Sequence, residues 1–595
     1  MSETARLIRF PSRGQHTEVE KVAVPVDAYH FGVNVRTEKL CLKQRFGTRE
    51  IPWVSEDGTD IEEIQQLNFQ SAIHFSPSTG SSALQFADKG SCVLLAAGGR
   101  KFCMRLVGSR WNSELRVTEI TNVAQPSDLY EVYLTQAENY AVSGDDRRET
   151  WIYRNGQDAR LSNGYTTVTS ERENSEVPNA MRLPIYAHGR LVVVDGDRSL
   201  LVGDIIHGGD LTDSEDVIKF TEQTYWAEGQ RFVVPTEAGR ILSMYSLPVL
   251  GDNTRHGDLI IECEFQTWAL DLAIHPRTAW SNTPMLRLVS LEGGAQGQHA
   301  YDTFNNDAIR RTQNGIETLS FSNQVGDNIR SPQQNISFPI IDFLKRDEGS
   351  YLRFTSLKVH RRERRVYCTT RPSGNKIHWG SRGWFSFNSE TQNWDGLWTP
   401  PPWAEIVKIF LRYPMRGQER MLMFAGGGGK NIRVLEIDES FEYDYDESGE
   451  EFSIESQLEP RSLFADLNQK INLQEGVIQF SDVKGDFKFD VEWKSGTDNS
   501  CWNPWESKVF NCPERVPRLI THRLSEFEGS TKNGADIRSD IQYDLRIIWT
   551  GPACLRFVDL RLDRTDDHFD TEQESGITCS CSYCCDDYFR YSLSS

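Results

Sequence analysis

No stretch of this chain approaches the roughly 18 consecutive apolar residues that a helix needs to cross a bilayer, so no membrane-spanning helix is expected. The opening residues, Met1 to Phe10, carry Glu3, Arg6 and Arg9 and lack the apolar centre of a secretory leader. A soluble chain made in the cytosol is the expectation. Positive charge is in short supply. Against 86 Asp and Glu stand 65 Lys and Arg, a formal net charge of −21. Sequence-independent nucleic-acid binding needs the opposite excess, because Lys and Arg displace phosphate counterions. A generic DNA binder is therefore not expected, whereas a surface that a polyanion slides past remains open. Cysteine is sparse, at 12 in 595 residues. That is too few for a disulfide framework, and the eight outside the C-terminal tail are expected to be reduced. The hydrolase motifs GxSxG and HExxH are missing. Helix signals are short: Asp60 to Gln66, with its acids placed early where the dipole favours them, and Asp271 to His275, stopped by Pro276.

What the chain does hold is aromatic and β-forming. Fifteen Trp and thirty Phe suit pleated, half-buried surfaces, and 38% apolar content is enough for real cores. A chain this long exceeds one core, so two to four domains are expected. The organising stretch is Met181 to Asp204. Arg190 to Val194 reads as a strand, Asp195 to Arg198 as a turn, and Ser199 to Val202 as the return strand. Variants of this hairpin recur from about residue 90 to about residue 440, with starts roughly 40 to 55 residues apart, the range of propeller blades. A blade cannot bury both faces alone, but a ring of blades buries them and protects strand edges. The expected fold is all-β: a degenerate β-propeller of about six or seven blades with a C-terminal β-sandwich domain. The propeller is placed at residues 76–440, after an extended segment, 1–75, that contributes to the propeller or the sandwich. An acidic connector at 441–455, a β-sandwich at 456–565 and a Cys-rich tail at 566–595 complete the order. A pair of stacked sandwiches is the structural competitor.

Five constellations invite chemistry. Asp444, Asp446, Ser448 and Glu455, with Gly449, match the oxygen spacing of a calcium loop. The flanks read as strands, and Glu451 stands where an apolar residue is usual, so a solvated acidic connector is the preferred reading. Cys579, Cys581, Cys584 and Cys585, with His568 nearby, offer soft ligands, but their crowding is not a zinc-finger spacing. Unpaired thiols or disulfides formed after lysis are preferred there. His360 to Arg365 is the strongest basic run; it reads as a hairpin tip or charged strand edge that forms salt bridges to an acidic neighbouring subunit rather than to DNA. Gly426 to Gly429 followed by Lys430 suggests a phosphate loop, yet no Ser or Thr follows and a strand comes next, so a plain turn is expected. Glu390 and Asp395, among Trp384, Trp394 and Trp398, could flank a glycosidic bond, but such pairs arise by chance in an acid-rich chain. No catalytic, cofactor-binding or metal site is assigned.

The order of several short motifs is more telling. Gln136 to Ala141, Trp151 to Gly156, then Pro178 with Ala187 to Val193 and Gly203 to Ile205 form one succession. Phe220 to Tyr225 with Phe232 to Pro235, Asn314 to Ile316 with Ser331 and Pro332, and Trp394 to Trp398 extend it. This succession resembles the tail nozzle (hub, tail tubular) proteins of bacteriophages over most of residues 90 to 560. The resemblance implies a β-propeller-bearing virion protein, not an enzyme and without a cofactor. It implies a ring, usually of six copies, beneath an adaptor ring, guiding genomic DNA through the lumen with weak contact and docking tail fibres or spikes. Its place would be the virion tail, after assembly in the host cytoplasm. The alternative is a monomeric β-propeller that binds surface glycans or proteins, with its aromatics as stacking platforms. A propeller glycosidase is the third reading.

Overall fold

The computed structural model describes residues 2–565 apart from 10–12, 17–22, 26, 39–40, 78–90, 122–130, 155–156, 167–171, 206–214, 222–230, 248–257, 273–284, 305–306, 325–326, 372–381, 416–417, 465–469, 496–501, 512–514, 528–529, 533–534, 538 and 541. The protein is all-β: among the described residues the α-helices are Ile61–Gln66 and Ile341–Leu344. The first is the helix the sequence signalled. The Asp60 carboxylate accepts from the backbone N–H groups of Glu62 and Glu63, and both acids occupy the first turn. The second expected helix, beginning at Asp271, runs into residues 273–284, outside the described residues.

The chain divides into two compact units. The larger comprises Phe46–Phe385 and Thr399–Glu451. It is a succession of antiparallel sheets, each ordered as the chain runs. Phe69–Phe75, Cys92–Ala97, Arg100–Val107 and Glu114–Glu119 form one, with Trp53–Ser55 added parallel at its edge. Four-stranded sheets follow that begin with Tyr133–Ala137, Met181–Ala187, Ile241–Leu247 and Tyr301–Phe304. Then come the hairpin of Leu357–His360 with Arg365–Thr370 and the sheet of Ile406–Met415, Gln418–Gly427 and Lys430–Asp438. Tight turns set these registers. Gly98 and Gly99, His188 and Gly189, and Gly428 and Gly429 all have positive φ. That is the pattern of hairpin turns whose twist matches the strands.

Cores lie between consecutive sheets. In Arg190–Asp195, Leu191 and Val193 join Tyr140, Val142 and Ile152 of the preceding sheet. Val192 and Val194 join Met244, Leu259 and Ile261 of the following one. Successive side chains point to opposite faces, so a strand buried on both faces reads as an unbroken apolar run. The first strands also follow one another in space. Phe69–Phe75 lies beside Tyr133–Ala137, which lies beside Met181–Ala187, which lies beside Ile241–Leu247. The rings of Tyr245 and Tyr301 stack with centroids 4.4 Å apart, linking that strand to Tyr301–Phe304. Leu357–His360 and Ile406–Met415 come next, and the last lies beside Phe69–Phe75 again. The last sheet is completed from early in the chain. Gly47–Glu50 pairs antiparallel with Lys430–Asp438, and Asp444–Tyr445 pairs parallel with that added strand.

The smaller unit comprises Met1–Arg45, Ser386–Trp398 and Phe452–Ser595. The segment expected as one piece, 1–75, is thus shared between the units. One sheet runs Asn393–Trp398, Phe31–Val33, Glu455–Glu459, Gln542–Thr550, Phe487–Ser495, Asn503–Phe510. The other runs Val35–Glu38, Cys41–Gln44, Cys554–Thr565, Lys470–Val483, Arg518–Leu524, with Ser2–Arg9 also on Cys554–Thr565. Phe487, Phe489, Val491 and Trp493 alternate inward from the first sheet. They share one core with Ile478, Phe480, Leu555, Val558 and Leu560 of the second.

One expectation about cysteine is corrected. Cys41 and Cys554 are joined in a disulfide, their Cα atoms 5.8 Å apart. Their strands adjoin, with Lys43 opposite Cys554, although 513 residues separate the pair in sequence. Spacing along the chain therefore gave no hint of the bond. Cys92, Cys103, Cys263 and Cys368 are free and buried; Cys501 and Cys512 lie outside the described residues.

Candidate functional site

The residues that the sequence singled out have mostly structural posts. Asp444 is buried, and its Oδ1 accepts from the Thr48 N–H at 2.9 Å and the Thr48 hydroxyl at 2.8 Å. Asp446 closes a local turn by accepting from the Ser448 hydroxyl and the Glu450 N–H. Burial works against the charge of Asp446, yet those hydrogen bonds hold its carboxyl below the usual range. Glu455 begins a strand of the other unit, paired with Gln542–Thr550. The four calcium-loop candidates are thus not brought into one loop. The first half of the expected solvated connector is also folded in: Phe441, Tyr443 and Tyr445 form a buried cluster. Trp111 packs edge-on against Phe441 and Tyr445 there. Among the described residues no three His, Cys, Asp or Glu side chains are grouped as a metal site. The tail candidates Cys579, Cys581, Cys584 and Cys585 lie outside the described residues, as does His568.

His360 to Arg365 is a hairpin tip, as expected, with its turn between Leu357–His360 and Arg365–Thr370. Arg362 reaches Asp438 at 3.3 Å and Glu439 at 3.4 Å within the chain. Arg365 lies over the Phe46 ring. Burial, with Glu439 and Asp438 nearby, pushes the Glu363 carboxyl up to about 7. Gly426 to Gly429 forms the turn between Gln418–Gly427 and Lys430–Asp438, and Lys430 pairs with Glu447 at 2.6 Å.

Asp395 is fully buried and accepts from the Thr37 N–H, the Thr37 hydroxyl and the Ser386 hydroxyl. Glu390 lies exposed in the turn before its strand. One carboxylate is locked in and the other faces water, so the two do not form an acid pair. Trp384, Trp394 and Trp398 are core side chains.

Two cavities in the larger unit went unforeseen. One, of about 430 Å³, is bordered by first strands Phe69–Phe75, Leu357–His360 and Ile406–Met415. His74, His299, Lys358, Arg361, Arg412 and Glu419 supply its charged and titratable lining. Asp302 positions the guanidinium, accepting from Arg412 Nη2 at 2.7 Å and from the Val359 N–H at 2.8 Å. Burial lowers His74 to about 4, and burial with Lys358 nearby lowers His299 to about 3, so both imidazoles are neutral at ordinary pH. The other cavity, of about 270 Å³, is lined by Glu131, Tyr133, Asp146, Arg182, Arg240 and Arg353 among others. Arg147, Arg182, Arg240 and Arg353 stand there against the acids Glu131 and Asp146; burial raises Glu131 while Arg353 pulls it back, and Arg182 donates to the Gly196 and Ile241 carbonyls. The sequence did carry a signal for the first cavity. Lys358 between Leu357 and Val359, and Arg412 between Leu411 and Tyr413, are cations inside strand-forming apolar runs.

Compared with known proteins, the chain matches no family model and no curated sequence.

Proposed function

We propose that the larger unit is a seven-bladed β-propeller and the smaller a β-sandwich, in a structural protein of the tail nozzle of a short-tailed double-stranded DNA bacteriophage. The observation that carries the propeller is the cyclic order of its first strands, closed by Gly47–Glu50 on the last sheet. Rings of blades protect strand edges this way. The nozzle reading rests on the ordered motifs similar to those of tail nozzle proteins. Several of them fall where blade geometry is set: Gln136 and Ala137 end a first strand, and His188 and Gly189 make the turn into the next.

In this reading about six copies close into a ring, the symmetric solution for a repeated heterologous contact. The ring sits beneath an adaptor and passes genomic DNA outward, with fibres or spikes docked outside. A charge of −21 per copy keeps the polyanion from adhering during passage. The work asks for no cofactor and no catalytic residue. The glycan-binding alternative loses three candidate stacking platforms, since Trp384, Trp394 and Trp398 are buried.

Mass photometry and negative-stain micrographs of the purified protein, alone and with virions, test the proposal. A ring of several copies that co-purifies with particles is expected. A monomer at every concentration, missing from particles, overturns it.

A further inference from the structure

Among the described residues, the cavity of about 430 Å³ is lined by more cations than acids. Lys358, Arg361 and Arg412 line it against one acid, Glu419, with Asp302 behind Arg412. Asp302 is already used on both oxygens. Glu419 accepts the backbone N–H of Arg361 at 3.0 Å. The Lys358 ammonium donates to the Tyr301 carbonyl at 3.5 Å. Arg412 Nη1 is buried with no hydrogen-bond partner among the described residues. A buried charged donor left unmatched is costly, so an acceptor that brings negative charge gains more here than at the open surface. Two neutral imidazoles, His74 and His299, complete the lining. Their Nε2 atoms lie within 2.6 Å of the Ser91 hydroxyl and 3.4 Å of the Ser71 hydroxyl, which fixes both rings.

We propose that this cavity is a binding site for a small multiply charged oxyanion, inorganic phosphate, pyrophosphate or a small phosphorylated metabolite. The volume falls in the range of small-molecule sites, roughly 300–1,000 Å³. A guanidinium with a free Nη and an adjacent ammonium is the donor set that phosphate oxygens fit, Arg by its planar fork and Lys as a point charge. A cavity between packed strands suits a small anion rather than a nucleic-acid backbone, which is recognised along an extended basic surface. The site is independent of whether the chain forms a nozzle.

Isothermal titration calorimetry of the full chain with inorganic phosphate and with pyrophosphate tests the site. Saturable binding is expected, tighter for pyrophosphate, and weakened about tenfold or more by Lys358→Met or Arg412→Met. Arg361→Ala, at an exposed turn position, should weaken binding about threefold or more and leave the fold intact. Lys358→Arg should retain most of the affinity, which separates charge loss from misfolding. The proposal is overturned if wild type shows no saturable binding at about 10 mM pyrophosphate. It is overturned equally if Arg361→Ala and Lys358→Met bind like wild type, or if a single-stranded oligonucleotide binds at these residues while pyrophosphate does not.

Discussion

Replacing Arg433 by Met should unlatch the strand that completes the last sheet of the larger unit. Arg433 Nη1 donates to Glu50 Oε1 at 2.7 Å, and the two side chains are 9% and 2% exposed. Its Nε and Nη2 also reach the carbonyls of Gly427 and Gly428, at 3.1 and 3.2 Å. The second carboxylate oxygen of Glu50 is buried without a partner among the described residues. Methionine keeps the apolar stem and removes all three bonds. Breaking one side of a buried ion pair costs about 3–5 kcal/mol, because the other charge is left stranded. The cost has a pH signature. Burial already raises Glu50 above its ordinary value, with Arg433 pulling it back. A raised acid takes up a proton on folding. Its stabilising contribution is full below the unfolded pKa and is lost as pH rises through the folded one. Without Arg433 the folded value climbs further, so the charge-dependent penalty is greatest near neutral and alkaline pH, shrinks as pH falls through that raised folded value, and is gone below about pH 4.5. Hydrogen exchange across Gly47–Glu50 and Lys430–Asp438 reads this locally, which matters because two units need not unfold together. Glu50→Gln placed on Arg433→Met should restore about 1–3 kcal/mol by removing the stranded charge. A loss under about 1 kcal/mol, no pH dependence, or no recovery in the double variant would refute the reasoning.

Two further outcomes are expected. Peptide mapping without reductant should recover Cys41 linked to Cys554, and Cys41→Ser should destabilise the smaller unit by about 2–5 kcal/mol; full alkylation of both thiols before reduction would contradict the bond. Asp395→Asn should lower stability by about 1–3 kcal/mol, since an amide cannot accept from Thr37 and Ser386 on every side as the carboxylate does. An unchanged melting curve would show that those three hydrogen bonds contribute nothing.

Repetition was legible in the sequence where strands are short and turns explicit. Asp195 to Arg198 and Gly98 with Gly99 declare their hairpins through residues that accept positive φ, and Asp60 declares its helix through its cap. What lies between distant segments was not legible. Gly47–Glu50 carries the ordinary residues Thr48, Arg49 and Glu50, and only its partner at Lys430–Asp438 gives it meaning. Phe441, Tyr443 and Tyr445 alternate with acids, and charge density suggested solvation; the rings instead bury together while Asp444 caps Thr48. Asp395 looked like chemistry because a carboxylate near tryptophans suits a sugar. Its partners, Thr37 and Ser386, come from two other stretches of the chain. The charged cavity was signalled only in pieces, by Lys358 and Arg412 inside apolar runs; its cations come one or two at a time from separate stretches, so their meeting was not legible.

Interior pairing changes what the net charge means. Arg310 with Glu262, Arg311 with Asp347, Arg420 with Glu436 and Arg433 with Glu50 are pairs in which both side chains are less than a tenth exposed. Arginine suits these posts because its planar fork satisfies a carboxylate and nearby carbonyls together; Arg310 bonds both Glu262 oxygens and Thr267 at once. Each such pair removes one cation and one anion from the surface, leaving the net charge at −21 but drawing on the smaller pool of 65 basic residues against 86 acids. The surface is therefore more one-sided than composition suggests. In the proposed nozzle such a surface would repel a passing polyanion, at the scale of the Debye length, about 8 Å at physiological salt. The cluster of Lys358, Arg361 and Arg412 departs from that pairing, with Glu419 and Asp302 as its acids. In a chain that neutralises so many of its buried arginines with its own acids, a recessed cationic site with an unmatched Nη1 is where an outside anion would be held.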